Sequence, residues 1–416
     1  MLGFVLLPLL NAVAPLLVLP IVTGRFGQET FAALVVAQSL GSAGAVLVEL
    51  GWGVNGAQRV SRQKPRNRAR TVALSTLTKA LVLLPTSLLL VVAAVALVEP
   101  GHRVEAALIA VSGAFGSLNT VWVFIGMGRP SLVLLVESLP RLSLLLASAV
   151  GMALGGPFWL YVAASVLPAV CCPLLGMRVV GTRWRDLRSF GWRHVLRATR
   201  AQFSALSARA LSAVYIALPV ALVSAVAPAG TVAVFGALER SQRMLLTGLQ
   251  AFPNAMQGWV GGGATRDIRV SRSLRAIAIN AGIGAVAGLL FALAGPALAE
   301  MLFSGVVELT HRETTVGGAL ILLVSVSRAT GGLALVAVRR VSGITWSALA
   351  GAALGLPLVP LLAASHGALG AVLGEASAEA AVLLVQVVVL RRRLVRMRAE
   401  QSRVPGDEHP TPEEKQ

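Results

Sequence analysis

Eleven charged side chains lie inside stretches that are otherwise apolar, and their types make them the residues best suited to chemistry in this sequence. They comprise six cations and five acids: Lys79, Arg141, Arg209, Arg240, Arg243, Arg328, Glu49, Glu137, Glu239, Glu375 and Glu379. A charge at the centre of a membrane-spanning helix costs about 2.5 to 3.5 kcal/mol on insertion scales. If these stretches cross a membrane, the charged side chains must face a bundle interior or a watery cavity, or pair with one another.

Spacing separates the charges that can pair locally from those that cannot. Glu137 and Arg141 lie four residues apart, as do Glu239 and Arg243, so each pair can close on one face of a helix. Arg328 has no acid at helical spacing on its own stretch. It lies about eleven residues before the next basic interval, which at 1.5 Å per residue places it near the middle of a membrane.

The chemistry that these cations favour is the binding of an anionic group. Guanidinium groups stay charged and can donate two parallel hydrogen bonds to a phosphate. One interpretation groups six cations in a lumen that binds a diphosphate headgroup. Its members would be Arg328, Arg240, Arg209, Lys79, Arg141 and Arg243. The alternative is a set of structural ion pairs between helices.

Two of the acids suggest a second kind of site. Glu375 and Glu379 lie four residues apart and carry like charges, so they need partners elsewhere in the fold. Either carboxyl could carry a proton in a coupled cycle. We therefore treat this pair as candidates for proton coupling.

Signatures of other chemistries are missing from the sequence. Cys171 and Cys172 are adjacent in one apolar run and match no metal-ligand spacing. No lysine follows a glycine, so the chain has no Walker A motif. Asp186, Asp267 and Asp407 are scattered and form no paired acid site. We predict no enzymatic activity, no catalytic residues, no cofactor and no metal site.

The composition indicates the fold class that must position these charges. Hydrophobic residues make up 56% of the chain and charged residues 13%, whereas soluble domains have about 25% charged residues. Apolar runs of about 20 residues recur along the whole sequence, and that length crosses a hydrocarbon layer about 30 Å thick as a helix. We predict an all-α polytopic membrane protein. The net charge of +18 then reflects arginines between the spans, and we expect no nucleic-acid partner.

The distribution of basic residues predicts how the spans are oriented. We expect twelve transmembrane helices with both termini cytoplasmic. In that orientation 26 lysines and arginines fall in cytoplasmic intervals, and the external intervals hold only Arg25, Arg103 and Arg312. Such an excess on one side is the positive-inside pattern.

The longest polar interval divides the spans into two sets of six. It covers 178–200 and carries seven arginines. The predicted organisation is an N-terminal six-helix bundle at 1–177, a basic cytoplasmic connector at 178–200, a C-terminal six-helix bundle at 201–390 and a disordered cytoplasmic tail at 391–416. A short repeat, LPI at 19–21 and LPV at 218–220, suggests that the two bundles are related by pseudo-symmetry. Glycines four apart, among them Gly284 and Gly288, would allow close helix contact.

Several short motifs combine small, polar and basic residues at the ends of the predicted spans. They are AQS at 37–39 with ELG at 49–51, WVFIGMGR at 122–129, FGALER at 235–240 with QAFP at 250–253, and HGALGAVLGE at 366–375. In order, they resemble patterns of the second, fourth, eighth and last helices of the polysaccharide transporter family. That family comprises the O-antigen and related lipid-linked oligosaccharide flippases. The resemblance covers nearly the whole chain.

The resemblance implies a fold and a function. It implies membership of the multidrug, oligosaccharidyl-lipid and polysaccharide exporter superfamily, with two six-helix bundles around a central cavity that work by alternating access. The implied substrate is a polyprenyl-diphosphate-linked oligosaccharide, carried across the cytoplasmic membrane for cell-surface polysaccharide such as lipopolysaccharide. Membrane lipid and other polysaccharide-assembly proteins are the expected partners.

Three alternatives remain open at this point, one of which is a scaffold with no transport activity. A drug or cation antiporter could have the same fold, although six intramembrane cations against five acids argue mildly against a cationic substrate. A membrane polysaccharide polymerase or ligase tends to need a substantial external loop, and the longest predicted here has only about fifteen residues.

Overall fold

The computed structural model describes residues 2–202 and 217–402, and this part of the chain is helical without strands. The helices of the first half and the connector are α1 (Leu2–Glu49), α2 (Trp52–Ser61), α3 (Pro65–Leu97), α4 (Arg103–Gly116), α5 (Val121–Gly126), α6 (Pro130–Val133), α7 (Leu139–Ala153), α8 (Trp159–Val180), α9 (Trp184–Arg188) and α10, described over 192–202. A π-helical segment, Leu134–Ser138, joins α6 to α7. Such segments are rare and often occur at functional sites.

The second half has fewer but longer helices. They are α11 (Pro219–Ser224), α12 (Ala229–Leu249), α13 (Ala251–Gly261), α14 (Arg266–Phe303), α15 (His311–Ala329) and α16 (Ser342–Ser402). A second π-helical segment, Thr330–Leu335, follows α15. Each half therefore contains one π-helical segment within a long apolar stretch.

Two of the long helices are broken at a glycine. Gly27 in α1 has φ 80° and Gly367 in α16 has φ 59°. Glycine adopts positive φ without the steric penalty of a side chain, so the chain can leave the helical path there. Both breaks lie in predicted intervals between spans, and α1 and α16 each cover two predicted spans. The seventh predicted span lies largely on 203–216, outside the described residues, so the count of twelve and the orientation stay predictions.

The helices match the requirements of a lipid environment. Within the described residues, eight are long and apolar enough to cross a membrane. Large apolar side chains also point outwards, including Leu84, Leu88 and Leu154, which are 79%, 67% and 83% exposed. Exposed side chains of this kind are stable in hydrocarbon and would associate in water. The chain is an all-helical, multi-pass membrane protein, as the sequence predicts.

The predicted disordered tail needs a correction. The last helix does not end at residue 390 but continues to Ser402. Leu390, Leu394 and Met397 recur at helical spacing and pack against Leu335 and Val338, which gives the added turns an apolar face. Residues 403–416 lie outside the described part of the chain.

The hydrophobic core shows where the two halves meet. The largest cluster of buried side chains contains residues of both halves, with the second arm of α1 at its centre. Four smaller clusters each lie within one half, with the connector counted in the first. One joins α2, α3, α5 and the connector, one joins α5 to the π-helical segment that follows α6, and two join α13 to α16 in the second half. The halves thus share a core along α1 and have separate cores at the ends predicted to be cytoplasmic.

Candidate functional site

A cavity of about 450 Å³ lies inside the second half and brings together five charged side chains. α12, α15 and α16 form most of its wall. The charged residues that line it are Glu239, Arg243, Arg328, Glu375 and Glu379. Polar atoms from Gln242, Thr247 and Ser327 complete the lining. The proton-coupling candidates and two of the predicted substrate ligands therefore occupy one site.

Arg328 is held at the wall of this cavity by the end of α12. Its Nη1 donates to the carbonyl oxygen of Leu246 at 2.5 Å, close to where α12 ends at Leu249. The carboxyl of Glu379 in the same cavity interacts electrostatically with this guanidinium, and Arg328 takes no part in the salt bridges of Arg141 and Arg243. Arg328 is half-buried, and its remaining N–H groups stay available to a ligand in the cavity.

The other charges of the cavity offset one another in part. Arg243 forms an ion pair with Glu239 one turn earlier on α12, as the spacing predicts. Glu375 and Glu379 lie on α16, also one turn apart. With all five groups ionised, three carboxylates face two guanidinium groups. The lining is therefore not uniformly cationic, which differs from the lumen that the sequence suggests.

A second cavity, of about 560 Å³, lies inside the first half. Glu49, Glu137 and Arg141 line it. Glu137 belongs to the π-helical segment, is 4% exposed and pairs with Arg141 at 3.6 Å. This pair also confirms the prediction from spacing. The carboxylate of Glu137 offsets part of the positive charge of Arg141.

Lys79 is buried next to this cavity. It is 1% exposed, and its Nζ donates to the carbonyl oxygen of Ser117 at 2.6 Å. Lys79 is not among the residues that line the cavity. The ammonium group therefore satisfies a backbone carbonyl between α3 and α4, and the geometry favours the structural alternative for this residue.

Arg240 points away from both cavities. It lies on α12, one residue after Glu239, and its Nη2 donates to Oε1 of Gln38 on α1. Gln38 in turn donates through Nε2 to the hydroxyl of Tyr161 on α8 at 2.8 Å. Arg240 thus contacts the opposite half of the protein. Arg209, the remaining predicted ligand, lies outside the described residues.

The predicted basic residues consequently fall into three places rather than one. Arg243 and Arg328 share the cavity of the second half, Lys79 and Arg141 lie at the cavity of the first half, and Arg240 lies between the halves. Sequence reasoning missed the role of Gln38 as a partner of Arg240. The available signal was an amide inside an apolar run, which needs a hydrogen-bond partner when it is buried.

The fold matches solved transporters over nearly the full length. The lipid II flippase MurJ in an inward closed conformation gives a TM-score of 0.70 at 9% sequence identity, over 98% of this chain and 94% of that chain. The eukaryotic MATE transporter AtDTX14 gives 0.57 at 14% identity, over 96% and 97%. A MATE structure in a bent conformation gives 0.55 at 14% identity, over 96% and 95%. At these identities the likeness establishes the fold.

Sequence comparison establishes the family. No curated protein sequence matches the chain. The family model described as polysaccharide biosynthesis protein matches residues 3–255, which is more than half of the chain. This match confirms the family resemblance of the helix-end motifs, most of which lie in that range. The chain belongs to the polysaccharide biosynthesis protein family.

Proposed function

We propose that the protein is a flippase that moves a polyprenyl-diphosphate-linked oligosaccharide from the cytoplasmic to the outer leaflet of the cytoplasmic membrane. The observation that carries this proposal is Arg328, an arginine deep in an apolar helix that lines a cavity and whose one hydrogen bond within the described residues uses a single N–H group. Placing a guanidinium at that depth in a membrane costs free energy, and such residues usually serve a function. In a family named for polysaccharide biosynthesis, that function would be to bind the anionic headgroup of a lipid-linked glycan.

The cavity has the chemistry that such a headgroup needs. A diphosphate can accept hydrogen bonds from Arg328 and Arg243, while Gln242, Thr247 and Ser327 can bind sugar hydroxyls. The polyprenyl tail is apolar and need not leave the lipid. Only the charged, sugar-bearing head requires a polar path, so alternating access of the two halves would suffice for transport.

Two glutamates in the same cavity could couple substrate transport to the movement of protons. Glu375 and Glu379 share the cavity with Arg328, so a proton on either carboxyl changes the net charge that a diphosphate meets. Protonation would make the lining more favourable to an anion, and deprotonation would favour its release. The proposal therefore includes proton coupling through Glu375 or Glu379.

A drug or cation antiporter is the second candidate function. The observation that favours it is the excess of carboxylates over guanidinium groups in the cavity, three against two. A cation would pair with the glutamates and would be repelled by Arg328. Efflux of cationic dyes from cells that express the protein would support this candidate, and it should stay at background if the substrate is an anionic lipid.

The proposed function can be tested in a strain that lacks an oligosaccharide flippase, with surface polysaccharide as the measurement. We expect wild type to restore the polysaccharide and Arg328→Ala to reduce it at least tenfold at equal protein level, because one charge-assisted contact to phosphate is lost. Arg312→Ala is the matched control, since Arg312 lies exposed at the other end of the same helix. Equal rescue by Arg328→Ala would contradict the role of the cavity.

The substrate and the coupling are tested with purified protein in vesicles. A fluorescent polyprenyl-diphosphate-linked oligosaccharide should cross the membrane only in the presence of the protein. Its transport should depend on pH in wild type and lose that dependence in Glu379→Gln or Glu375→Gln. Dye efflux without movement of the lipid-linked glycan would assign the protein to the antiporters instead.

A further inference from the structure

The two halves are joined by hydrogen bonds near the side of the membrane predicted to be external. Ser304, which follows α14, donates to the carbonyl oxygen of Pro20 at 3.0 Å. Gln28, just after the break in α1, donates to the carbonyl oxygen of Gly230 at 3.4 Å. Both contacts link the first half to the second, and both lie beside chain reversals. We call the contact surface between α1 and the helices α11, α12 and α14 the outer seam.

The outer seam is closely packed along α1. Ser39 donates to the carbonyl oxygen of Ala217 at 2.6 Å and accepts from the backbone N–H of Ala221 at 3.3 Å. Gly236 on α12 lies so close to α1 that a Cβ at this position would come within 2.7 Å of the Cγ2 of Val35. At the level of Val35 and Ser39 the two halves are therefore in direct contact, and a cavity of about 300 Å³ lies between them nearer the outer end, beside Glu29 and Val232.

The opposite ends of the halves pack separately. α2 contacts α5 and α3 of its own half, and α13 contacts α12 and α14 of its own half. The buried clusters follow the same division, because those at the predicted cytoplasmic ends contain residues of one half only. The structure is therefore closed on the outer side and held together there.

The Arg240, Gln38 and Tyr161 chain lies at the deep end of the outer seam. Gln38 lies eleven residues after Gly27, and Arg240 lies eleven residues after the start of α12 at Ala229. At 1.5 Å per residue both are about 16 Å below the outer end of their helices, near the middle of the membrane. Beyond this level α12 carries Arg243 towards the cavity. These three hydrogen-bonded residues therefore lie at the boundary between the closed seam and the cavity of the second half.

We propose that Arg240, Gln38 and Tyr161 form a latch that holds the outer seam closed, and that Arg240 positions the two halves instead of binding substrate. The proposal rests on the proposed transport cycle only in assuming that the outer side opens in some step. Opening must separate α12 from α1 and break the contact between Arg240 and Gln38. In the closed state this part-buried contact is shielded from bulk water, which strengthens the hydrogen bond, so it favours that state more than the same contact would at a wet surface.

The position of Arg240 also connects the latch to the cavity. Glu239 precedes it directly on α12 and Arg243 follows one turn later, and both line the cavity. A ligand that shifts or rotates α12 when it binds these residues must also shift Arg240 relative to Gln38. The latch is therefore placed to release when the cavity is occupied.

The test measures opening of the outer seam without any substrate. Val35 is 5% exposed and packs at the seam, so Val35→Cys serves as the reporter in a chain from which Cys171 and Cys172 have been replaced by serine. The measurement is the rate at which a water-soluble maleimide labels the reporter in purified protein. We expect Gln38→Ala and Arg240→Gln to raise that rate about tenfold, the effect of losing one charge-assisted hydrogen bond.

A third variant should act in the opposite direction. Gln38→Glu keeps the acceptor for Arg240 and adds a negative charge, while the amide that donates to Tyr161 is replaced by an oxygen to which the Tyr161 hydroxyl can donate in turn. The latch then becomes an ion pair, and labelling should slow severalfold. Because this variant strengthens the contact, loss of folding cannot explain its effect. Gln250→Ala is the matched control, since Gln250 bonds to Asn254 within its own half, and it should label like the parent.

The outcomes separate the latch from the alternatives. Faster labelling with Gln38→Ala and slower labelling with Gln38→Glu would support it. Rates equal to those of Gln250→Ala in all variants would overturn it, and Arg240 would return to the substrate ligands if Arg240→Gln still abolished transport. Since the assay contains no substrate, failure of the proposed substrate would leave these rates unchanged.

Discussion

At the scale of single residues, Lys79 shows how a charge in a membrane span can serve structure. Its ammonium group is enclosed and donates to the Ser117 carbonyl at 2.6 Å. We expect Lys79→Met to lower the free energy of unfolding by about 1 to 3 kcal/mol, because a buried acceptor loses its donor. Thermal unfolding of the purified protein measures this. Lys64→Met, in an exposed loop, is the control, and a stable Lys79→Met protein that fails in transport would make Lys79 a ligand after all.

The sequence identifies the charged residues that lie inside apolar spans, but it predicts only some of their partners. The pairs Glu137 with Arg141 and Glu239 with Arg243 follow from helical spacing alone, and the structure confirms both. The contact of Arg240 with Gln38 joins residues about 200 positions apart. Helical periodicity holds no information at that distance, so this partner could not be predicted.

At the scale of helices, α14 and α15 pack through glycine. Gly284 and Gly288 lie one turn apart on α14, as the sequence predicts for a close contact. A Cβ on Gly284 would come within 2.7 Å of the Cβ of Ser325 on α15, and one on Gly288 would overlap the backbone of Gly318. The two backbones approach so closely that small residues are required at the crossing.

A substitution at this crossing should destabilise the second half. We expect Gly288→Ala to lower the free energy of unfolding by about 1 to 3 kcal/mol, because the added methyl group forces the helices apart. Gly282→Ala on the same helix faces open space and should have little effect or stabilise slightly. Unfolding temperatures of the two variants in detergent measure the difference. Equal decreases in the unfolding temperatures of the two variants would contradict a specific role of the α14–α15 contact.

The sequence predicts helices better where the local pattern is strong. The breaks at Gly27 and Gly367 fall between apolar runs, where glycine and polar residues indicate a change of direction. The extension of α16 to Ser402 was missed because its arginines resemble a solvated tail, although Leu394 and Met397 continue the apolar face. The π-helical segments depend on packing around the inserted residue, and no sequence signal announces them.

At the scale of the whole molecule, the apolar runs fix the fold class and the contacts between halves fix the conformation. Each run predicts a helix by itself, which is why the all-helical class is confirmed, whereas the family resemblance is confirmed by the match over residues 3–255. The closed outer seam depends on pairs such as Ser304 with Pro20, which lie in different halves. In the proposed transport cycle those pairs would have to break, and one sequence would then have to be compatible with more than one arrangement.

The orientation of the molecule decides which leaflet the closed seam faces, and it can be tested directly. The arginine excess predicts that the connector is cytoplasmic and that the loop between α14 and α15 is external. Ser189 and Glu308 are exposed in these two places. In cells whose native cysteines are replaced, a membrane-impermeant maleimide should label Glu308→Cys at once and Ser189→Cys only after permeabilisation. The reverse pattern would place the closed seam on the cytoplasmic side, because the seam and the connector lie at opposite ends of the helices.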